Sequence, residues 1–420
     1  MKIKMDYGRH GLELDVPQDA DIFLVREVRP LPDEAAAILG ALRSPIGAAP
    51  LREKLKPGMT VAVVHTDITR ATPNDRLLPV ILAELESGGI CREDITLING
   101  LGTHRPQTES ELRAMLGDAV VDNYRCLQHD ATDPQGLVSL GESQRGHPLW
   151  VNRALVEADL KILTGFIEPH FFAGYSGGPK AILPGLAGAE TVFANHSPGM
   201  IADPAAGFDR TIGNPIWEEM LEAALRVENT FLVNVTLDRE NAITGVFAGD
   251  LRAAHAAGCG FVRQSSRFEI NELYDVVVTT NSGYPLDQNL YQCVKGLAAA
   301  ARAVRPGGAI LLLAACEEGL PDHGEYARLL READSPQALL DRVLQPGFTC
   351  QDSWQVQIQA MVQLRADVRV YSEGLSDAQV AASLLSPCRN LTTGLAALID
   401  QYGPRVCILP QGPLTILDLV

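Results

Sequence analysis

A glycine-rich segment between Pro169 and His196 carries the side chains best suited to chemistry. It holds His170, Lys180 and His196 around the sequence FFAGYSGGP. Glycines let a backbone approach a ligand closely. The segment is not a phosphate-binding P-loop, because Ala181 follows the lysine where that motif needs Ser or Thr, and it is not a G-x-G-x-x-G fingerprint. A surface hairpin would not explain why three such side chains lie close together, so we interpret it as an active-site segment.

Two earlier loops also carry polar side chains directly after predicted strands. The strand TVAVVH is followed by Asp67, Thr69 and Arg70, and the strand ITLIN by a loop that contains His104. A guanidinium can clamp a carboxylate or phosphate with its planar fork, while Asp67 and Thr69 can bind a ribose or phosphate. A histidine at a strand end is suited to acid–base work. Taken singly, a solvated arginine and a surface histidine explain these loops as well.

The second half of the chain offers fewer candidates. Gln292 and Lys295 are three positions apart in a predicted helix, so they share a face and can jointly hold a carboxylate. An ordinary amphipathic helix is the alternative. Tyr291 precedes them, and Trp354 is either a core residue or a wall of the site. The other histidines are interpreted as structural or solvated: His10, His65, His129, His147, His255 and His323.

The elements that must position these residues alternate between strand and helix. Buried strands are predicted at Thr60–His65, Ile95–Asn99 and Asp159–Phe166, and a second βα series begins near Tyr274. This alternation predicts two α/β domains with largely parallel sheets. Ligands in such folds bind beyond the carboxyl ends of the strands, which is where the polar motifs fall. The polar stretch Arg263–Glu272 places the boundary, giving an N-terminal domain at 1–268 and a C-terminal domain at 269–420.

The bulk composition excludes several classes of protein. Of 420 residues, 46% are hydrophobic and 21% charged, which is typical of a globular chain. A net charge of −17 disfavours non-specific binding to nucleic acid or to an acidic membrane, so an anionic substrate needs a local basic pocket. Eight scattered cysteines with no Cys-x-x-Cys pair predict reduced thiols, and the N-terminus shows no signal peptide. We therefore expect a cytoplasmic enzyme.

Together the motifs resemble the lactate racemase family, whose members use a nickel-pincer nucleotide. The resemblance covers nearly the whole chain, from DITR at Asp67 to LPQGPLTI near the end, with the motifs in the right order. It implies two α/β domains with the active site in the cleft between them. It also implies partner proteins that synthesise the cofactor (nickel pyridinium-3,5-bisthiocarboxylic acid mononucleotide), and a chain made without them would be inactive.

The resemblance assigns roles to individual residues. Lys180 matches the lysine that attaches the cofactor through a thioamide, and His196 matches the protein ligand of nickel, with two sulfurs and a ring carbon supplied by the cofactor. His104 and His170 match the acid–base pair. The remaining matches are the carboxylate-binding set Arg70, Gln292 and Lys295, the nucleotide-binding set Asp67, Ile68, Thr69, Arg70 and Ser176, and the aromatic lining Tyr291 and Trp354.

The implied chemistry agrees with these residue types. A carboxylate acidifies the neighbouring C–H of a 2-hydroxy acid poorly, and a histidine with a pKa near ~6.5 is too weak a base to remove that proton. Hydride transfer is easier because a base can take the hydroxyl proton, but the hydride acceptor must be a cofactor. Hydride then returns to either face of a planar 2-keto acid. His104 and His170 would serve the two enantiomers.

We therefore predict a racemase or epimerase of 2-hydroxy acids, lactate-like or larger. Four alternatives stay open: a sugar-acid epimerase with the same cofactor, a pyridoxal-phosphate racemase, a zinc hydrolase, and a non-catalytic binder of nucleotides or hydroxy acids. A pyridoxal-phosphate enzyme would need an amino substrate and no His196, and a zinc hydrolase would need a paired motif such as H-E-x-x-H. Phe171, Phe172 and Tyr175 favour an apolar or mixed substrate side chain over a polyol.

Overall fold

The structure is a computed structural model that describes residues 1–321 and 324–420, so His323 lies outside the described residues. The strands are β1 Lys2–Met5, β2 Leu12–Asp15, β3 Asp21–Ile22, β4 Val61–Thr66, β5 Ile95–Gly100, β6 Arg125–Gln128, β7 Leu137–Glu142, β8 Pro148–Asn152, β9 Leu160–Phe166, β10 Pro169–His170, β11 Gly174–Tyr175, β12 Thr230–Leu237, β13 Ile243–Gly249, β14 Arg267–Ile270, β15 Tyr274–Thr280, β16 Val304–Leu313, β17 Ala366–Tyr371, β18 Ser386–Pro387, β19 Val406–Leu409 and β20 Ile416–Leu419.

The helices connect and cover these strands. They are α1 Glu34–Arg43, α2 Leu51–Lys54, α3 Asn74–Ser87, α4 Glu109–Leu116, α5 Asp118–Asn123, α6 Arg153–Glu157, α7 Ala189–Asn195, α8 Pro198–Ala202, α9 Pro215–Leu225, α10 Leu251–Ser266, α11 Leu290–Ala301, α12 Tyr326–Arg331, α13 Pro336–Val343, α14 Ser353–Arg365, α15 Asp377–Ala382 and α16 Leu391–Tyr402. Short 3-10 turns occur at Arg92–Asp94, Gly178–Ala181 and Gly412–Leu414.

A six-stranded sheet, which we call the first sheet, has the order β13-β12-β9-β4-β5-β6. Its neighbours are parallel except for the antiparallel pair β12 and β13. The central strand β9 is buried along its whole length, and β4 is buried up to Thr66. Continuous burial is expected where helices cover both faces of a parallel sheet. The apolar runs in the sequence therefore predicted these strands correctly.

The second sheet has the order β18-β17-β16-β15-β19-β3, and all its neighbouring strands are parallel. Asn289 caps the helix α11, because its side-chain oxygen accepts a hydrogen bond from Gln292 N at 3.1 Å. The helix α14 packs against α11, which covers the second sheet, and also against α8, which belongs to the half of the protein built on the first sheet. Two largely parallel α/β sheets confirm the predicted fold class.

The first strands of the chain, β1 to β3, pack with the second sheet and not with the first sheet. The short strand β3 pairs with β19 of the second sheet, and Met5, Tyr7 and Leu14 pack in the same cluster as Val276. The division into 1–268 and 269–420 stays a prediction, but the packing of residues 1–22 differs from it. The chain then crosses to the first sheet before α1, and it crosses back near β14.

The strand order of the first sheet marks where a ligand belongs. The chain runs from β4 outward through β5 to β6, and it later adds β9 and β12 on the opposite side of β4. Helices on the two sides leave a crevice at the carboxyl ends of β4 and β9. Arg70 lies on the loop after β4, and His170 lies on the short strand β10 that follows β9.

Two whole-chain features bear on the sequence predictions. All eight cysteines are free, as the absence of Cys-x-x-Cys pairs predicted. Among the described residues, no helix is long and apolar enough to cross a membrane.

Candidate active site

A cavity lies between the two sheets, above the carboxyl ends of β4, β5 and β9. The second sheet closes it with the first turns of α11 and α14. The turn at Gly412–Leu414, within the motif LPQGPLTI, contacts both β10 and α11 and so joins the two halves beside the cavity. The predicted site residues that line the cavity are Asp67, Arg70, His104, His170, Lys180, His196, Tyr291, Gln292, Lys295 and Trp354.

Three predicted cofactor contacts lie outside this lining. Ile68 is 43% exposed on the loop after β4, and the hydroxyl of Thr69 donates to Asp67 Oδ1 at 2.7 Å. The hydroxyl of Ser176 donates to the carbonyl of Phe166 and accepts from the backbone N–H of Glu168, each at 2.9 Å. The two hydroxyls are engaged in local backbone and side-chain contacts.

Three cationic side chains that form no ion pair within the described ranges converge on the cavity. Arg70, Lys180 and Lys295 form neither an ion pair nor a side-chain hydrogen bond with any residue in the described ranges. Burial, together with the charges of Arg70 and Lys295, lowers the pKa of Lys180 to about 7. Burial and the charge of Arg70 lower the pKa of Lys295 to about 8. In a chain of net charge −17 this cluster is a local concentration of positive charge, as the sequence analysis expects for an anionic substrate.

His104 is held by a buried carboxylate. Its Nδ1 lies 2.5 Å from Asp67 Oδ2, and Asp67 is only 2% exposed. Burial alone would raise the pKa of Asp67, but the hydrogen bond and charge of His104 outweigh it and lower that pKa to about 2. Because a carboxylate can only accept, His104 Nδ1 carries the hydrogen and Nε2 is left as the basic nitrogen. The sequence did not predict this pairing.

His170 is oriented by the backbone instead. Its Nδ1 accepts a hydrogen bond from Ala173 N at 3.2 Å, so Nε2 carries the hydrogen in the neutral ring. The ring stacks on Phe171 at 5.0 Å and meets the edge of Phe172 at 4.5 Å. Burial, reinforced by the charge of Lys180, lowers the pKa of His170 well below its ordinary value. Of the four histidines that line the cavity, His104 therefore offers Nε2 as a hydrogen-bond acceptor, whereas His170 offers Nε2–H as a donor.

His196 has the orientation of a metal ligand. Its Nδ1 donates to the carbonyl of Val192 at 3.1 Å, which leaves the Nε2 lone pair available. Its ring lies between Phe172 at 5.1 Å and Trp354 at 5.3 Å. Burial, with the charge of Lys180 second, lowers its pKa to about 3, so the ring is neutral. Within the described ranges no group of three or more His, Cys, Asp or Glu can hold a metal, so a metal at His196 would have to bring other donors.

Sequence reasoning missed several residues that line the cavity or act on it. Gln355 is 2% exposed, and its Nε2 donates to the carbonyl of Tyr291 at 2.5 Å, which ties α14 to α11. Glu168 acts on Lys180 and Lys295 electrostatically, and burial raises its own pKa. Thr66 ends β4 and follows the carboxyl-end rule, which could have found it, whereas Thr164 lies two residues before the end of β9. Tyr175, in contrast, is fully buried and bonds to Asp209 away from the lining.

Comparison with known proteins covers nearly the whole chain. The family model described as "Lactate racemase N-terminal domain" matches residues 7–209, and that described as "Lactate racemase C-terminal domain" matches residues 271–416. The chain is 32% identical over 423 residues to a lactate racemase of Thermoanaerobacterium thermosaccharolyticum, with 99% of each sequence covered. It is 34% identical over 383 residues to a lactate racemase of Lactiplantibacillus plantarum, with 90% of each covered.

Comparison with solved structures also shows similarity to a lactate racemase over the whole chain. The lactate racemase apoprotein of T. thermosaccharolyticum aligns over 100% of both chains with a TM-score of 0.92 and 31% identity. A protein from Thermotoga maritima aligns over 93% of this chain and 99% of its own with a TM-score of 0.69. At 19% identity the second match shows a shared fold only.

Proposed function

Because the chain belongs to the lactate racemase family and is an isomerase, we propose that it interconverts the enantiomers of lactate or a similar small 2-hydroxy acid. The observation that carries the proposal is one cavity in which three unpaired cations face two histidines of opposite hydrogen-bonding character. A racemase needs an anchor for the carboxylate and a proton-transfer group for each hydroxyl orientation. Arg70 and Lys295 would supply the anchor, and His104 and His170 would supply the proton-transfer groups.

The substrate carboxylate would bind to Arg70, Lys295 and Gln292. Arg70 offers a planar pair of donors, and Lys295 offers a compact charge from the opposite wall. Charge-assisted hydrogen bonds of this kind are the strong ones. Since Arg70 follows a strand of the first sheet and Lys295 lies on a helix beside the second, the anchor is complete only when both halves of the protein meet. A substrate held from both sides can turn without escaping.

The residues present fit a nickel-pincer nucleotide. Lys180 provides an amine with a pKa of about 7, of which a large part is neutral and nucleophilic at neutral pH, as attachment through a thioamide requires. His196 provides a single neutral imidazole whose orientation is fixed by Val192. A cofactor that brings its own sulfur and carbon donors needs only one such ligand. When bound, this cofactor supplies the electrophilic carbon that accepts hydride from C2 of the substrate and returns it.

The protein's own part in the reaction is proton transfer. His104 Nε2 would remove the hydroxyl proton as C2 is oxidised, and Asp67 would stabilise the imidazolium that forms. His170 Nε2–H would hydrogen-bond the same oxygen from the other side. To act as the base for the opposite enantiomer, His170 would first have to carry its hydrogen on Nδ1, which means releasing the hydrogen bond from Ala173 N; Nε2 would then take the hydroxyl proton, and the imidazolium so formed would return it. The two directions of turnover therefore differ in the groups that must rearrange.

The walls favour a small substrate side chain. Phe171, Phe172 and Val192 line the cavity beside the two histidines and present apolar surface. A polyol chain would leave hydroxyls unpaired against these groups, which is costly in a buried site. We therefore favour a lactate-like substrate over a sugar acid. We also propose that the enzyme acts in the cytoplasm, with cofactor supplied by other proteins.

A chiral assay on holoenzyme tests this function. The enzyme, loaded with cofactor, is given a panel of enantiopure 2-hydroxy acids that includes lactate, a larger apolar homologue and a sugar acid, and loss of optical rotation is followed. We expect the fastest loss with lactate. A second arm runs the reaction in deuterated water, where hydride transfer predicts no deuterium at C2. Solvent deuterium at C2 would instead show proton abstraction and would contradict the mechanism.

A further inference from the structure

The turn that precedes Lys180 is held by two buried side chains from distant parts of the chain, Asn234 on β12 and His255 on α10. We infer that these two residues, here called the turn clamp, are positioning residues for Lys180. This inference rests on the proposed tethering role of Lys180. Neither clamp residue lines the cavity, so each would act through the backbone of Ser176–Gly178.

Asn234 holds the turn from the sheet side. It is fully buried, and its Oδ1 accepts a hydrogen bond from Gly178 N at 2.7 Å. A β-carbon added to Gly177 would lie 2.5 Å from the same oxygen, so only glycine lets the backbone come this close. The asparagine therefore fixes both the position and the residue type of the turn.

His255 holds the turn from the helix side. It is 1% exposed, and its Nε2–H donates to the carbonyl of Ser176 at 2.9 Å. Burial lowers its pKa to about 4, so the ring is neutral, and the thiol of Cys259 lies 3.7 Å from Nδ1 as a weak donor. The ring also stacks on Trp217, with centroids 6.0 Å apart and planes at 16°.

Gly177 and Gly178 leave the space that the side chains of the turn clamp occupy. Gly177 and Gly178 have φ values of +73° and +56°, in the left-handed region that glycine adopts without strain. A β-carbon on Gly178 would lie 2.6 Å from the ring of His255. The sequence suggested that these glycines let the backbone approach a ligand closely. The contacts show that they also let Asn234 and His255 approach the backbone closely.

The turn sets the backbone of the lysine directly. Lys180 N donates to the carbonyl of Gly177 at 3.2 Å, so the 3-10 turn at Gly178–Ala181 starts from the clamped residues. A displacement of the turn would move the amine of Lys180 relative to Arg70 and Lys295, which lower its pKa. Misplacement of a reacting group by about 1 Å can cost roughly 100-fold in rate.

The test removes the hydrogen bonds of the clamp and keeps the shapes of its side chains. His255→Phe keeps a ring against Trp217 and loses the hydrogen bond, Asn234→Leu keeps the branched shape, and His255→Gln keeps a donor. His129→Phe is the matched control, because His129 is a buried histidine of the same half whose Nε2 donates to the carbonyl of Ala187 at 2.9 Å. The first readout is the rate at which the full-length apoprotein, mixed with free cofactor, gains a covalent adduct at Lys180 by intact mass. The second is the pH midpoint of Lys180 acetylation by trace acetic anhydride in apoprotein.

We expect attachment to slow about tenfold or more in His255→Phe and Asn234→Leu, with partial recovery in His255→Gln. The acetylation midpoint, near pH 7 in the original chain, should rise in both clamp variants and stay unchanged in His129→Phe. Equal effects in His129→Phe, or an unchanged midpoint in both clamp variants, would overturn the inference. If the original chain gains no adduct at Lys180, the tethering role fails, and the acetylation midpoint still decides whether the clamp positions the lysine.

Discussion

Removing the positive charge at position 180 should stabilise the apoprotein. Lys180 lies partly exposed in the cavity, faces Arg70 and Lys295, and forms no ion pair among the residues that the structure describes, and the opposing effect of Glu168 on its pKa is smaller than that of either cation. Its pKa of about 7 lies below the ordinary value of 10.5, which means that folding disfavours its protonated form. Lys180→Met keeps a flexible chain of similar length and removes the charge. We therefore expect Lys180→Met to unfold at a higher denaturant concentration.

The magnitude follows from the difference between the two pKa values. At about 1.4 kcal/mol per pKa unit, the shift from 10.5 to about 7 corresponds to a ceiling of about 5 kcal/mol. Because water in the cavity screens the charge, we expect a gain of about 2 kcal/mol. The direction of the Lys180 pKa shift also determines the pH range over which the charge lowers the stability of the fold. Below pH 7 both folded and unfolded chains carry the proton and the penalty is complete, and it fades as pH rises from 7 toward 10.5.

Urea unfolding of the cofactor-free protein at pH 6 and at pH 9.5 measures this gain. Lys180→Met should exceed the original chain by the full amount at pH 6 and by little at pH 9.5. Lys180→Arg is the control, because it keeps the charge and should bring no gain. A variant that is no more stable than the original chain at pH 6, or whose gain is the same at both pH values, would refute the reasoning.

Three further predictions concern the individual roles in the cavity. Asp67→Asn should lower kcat by about 100-fold or more and change its pH profile, because His104 loses the carboxylate that fixes its tautomer; circular dichroism checks that the variant folds. Arg70→Ala should raise KM by roughly 10- to 100-fold, the loss expected for a charge-assisted hydrogen bond, and an unchanged KM in steady-state assays would place the carboxylate elsewhere. His196→Ala should still gain the covalent adduct at Lys180 by mass spectrometry but retain little nickel by elemental analysis after dialysis, whereas adduct and nickel lost together would contradict separate roles for the two residues.

The sequence predicts the central strands and most of the cavity lining, because both depend on local patterns. Continuous apolar runs identify β4 and β9, and polar residues directly after such runs must meet at the carboxyl edge of the sheet. The short strand β3 escapes prediction because two residues show no periodicity, and its place in the second sheet depends on pairing with Cys407 and Ile408. The role of Ser176 at the cofactor stays a prediction, and local sequence could not reveal that its hydroxyl bonds to the carbonyl of Phe166.

The sequence does not reveal the partners of the proposed acid–base and tethering residues, and the reason is the same. Asp67 and His104 lie 37 positions apart, and Gly178 and His255 lie 77 apart, so no window of sequence shows that they meet. A spacing rule finds residues that share a helix face, such as Gln292 and Lys295, but it cannot find contacts made by the topology of the sheet. The glycines give the one indication of such contacts in the sequence. A β-carbon at Gly177 or Gly178 would overlap the side chains of the clamp, so these positions require glycine.

The excess positive charge of the cavity links stability to function. Lys180 and Lys295 both have lowered pKa values, Arg70 contributes to each shift, and Glu168 opposes the lowering only in part, so this charge destabilises the fold of the apoprotein near neutral pH. Conversion of the Lys180 amine to a neutral thioamide would remove one of these charges, and a substrate carboxylate would neutralise another. Each binding step therefore relieves repulsion that the apoprotein retains, and the affinity gained is specific for anions. Pairing these cations with carboxylates would make a more stable apoprotein but would leave no free cation for the substrate.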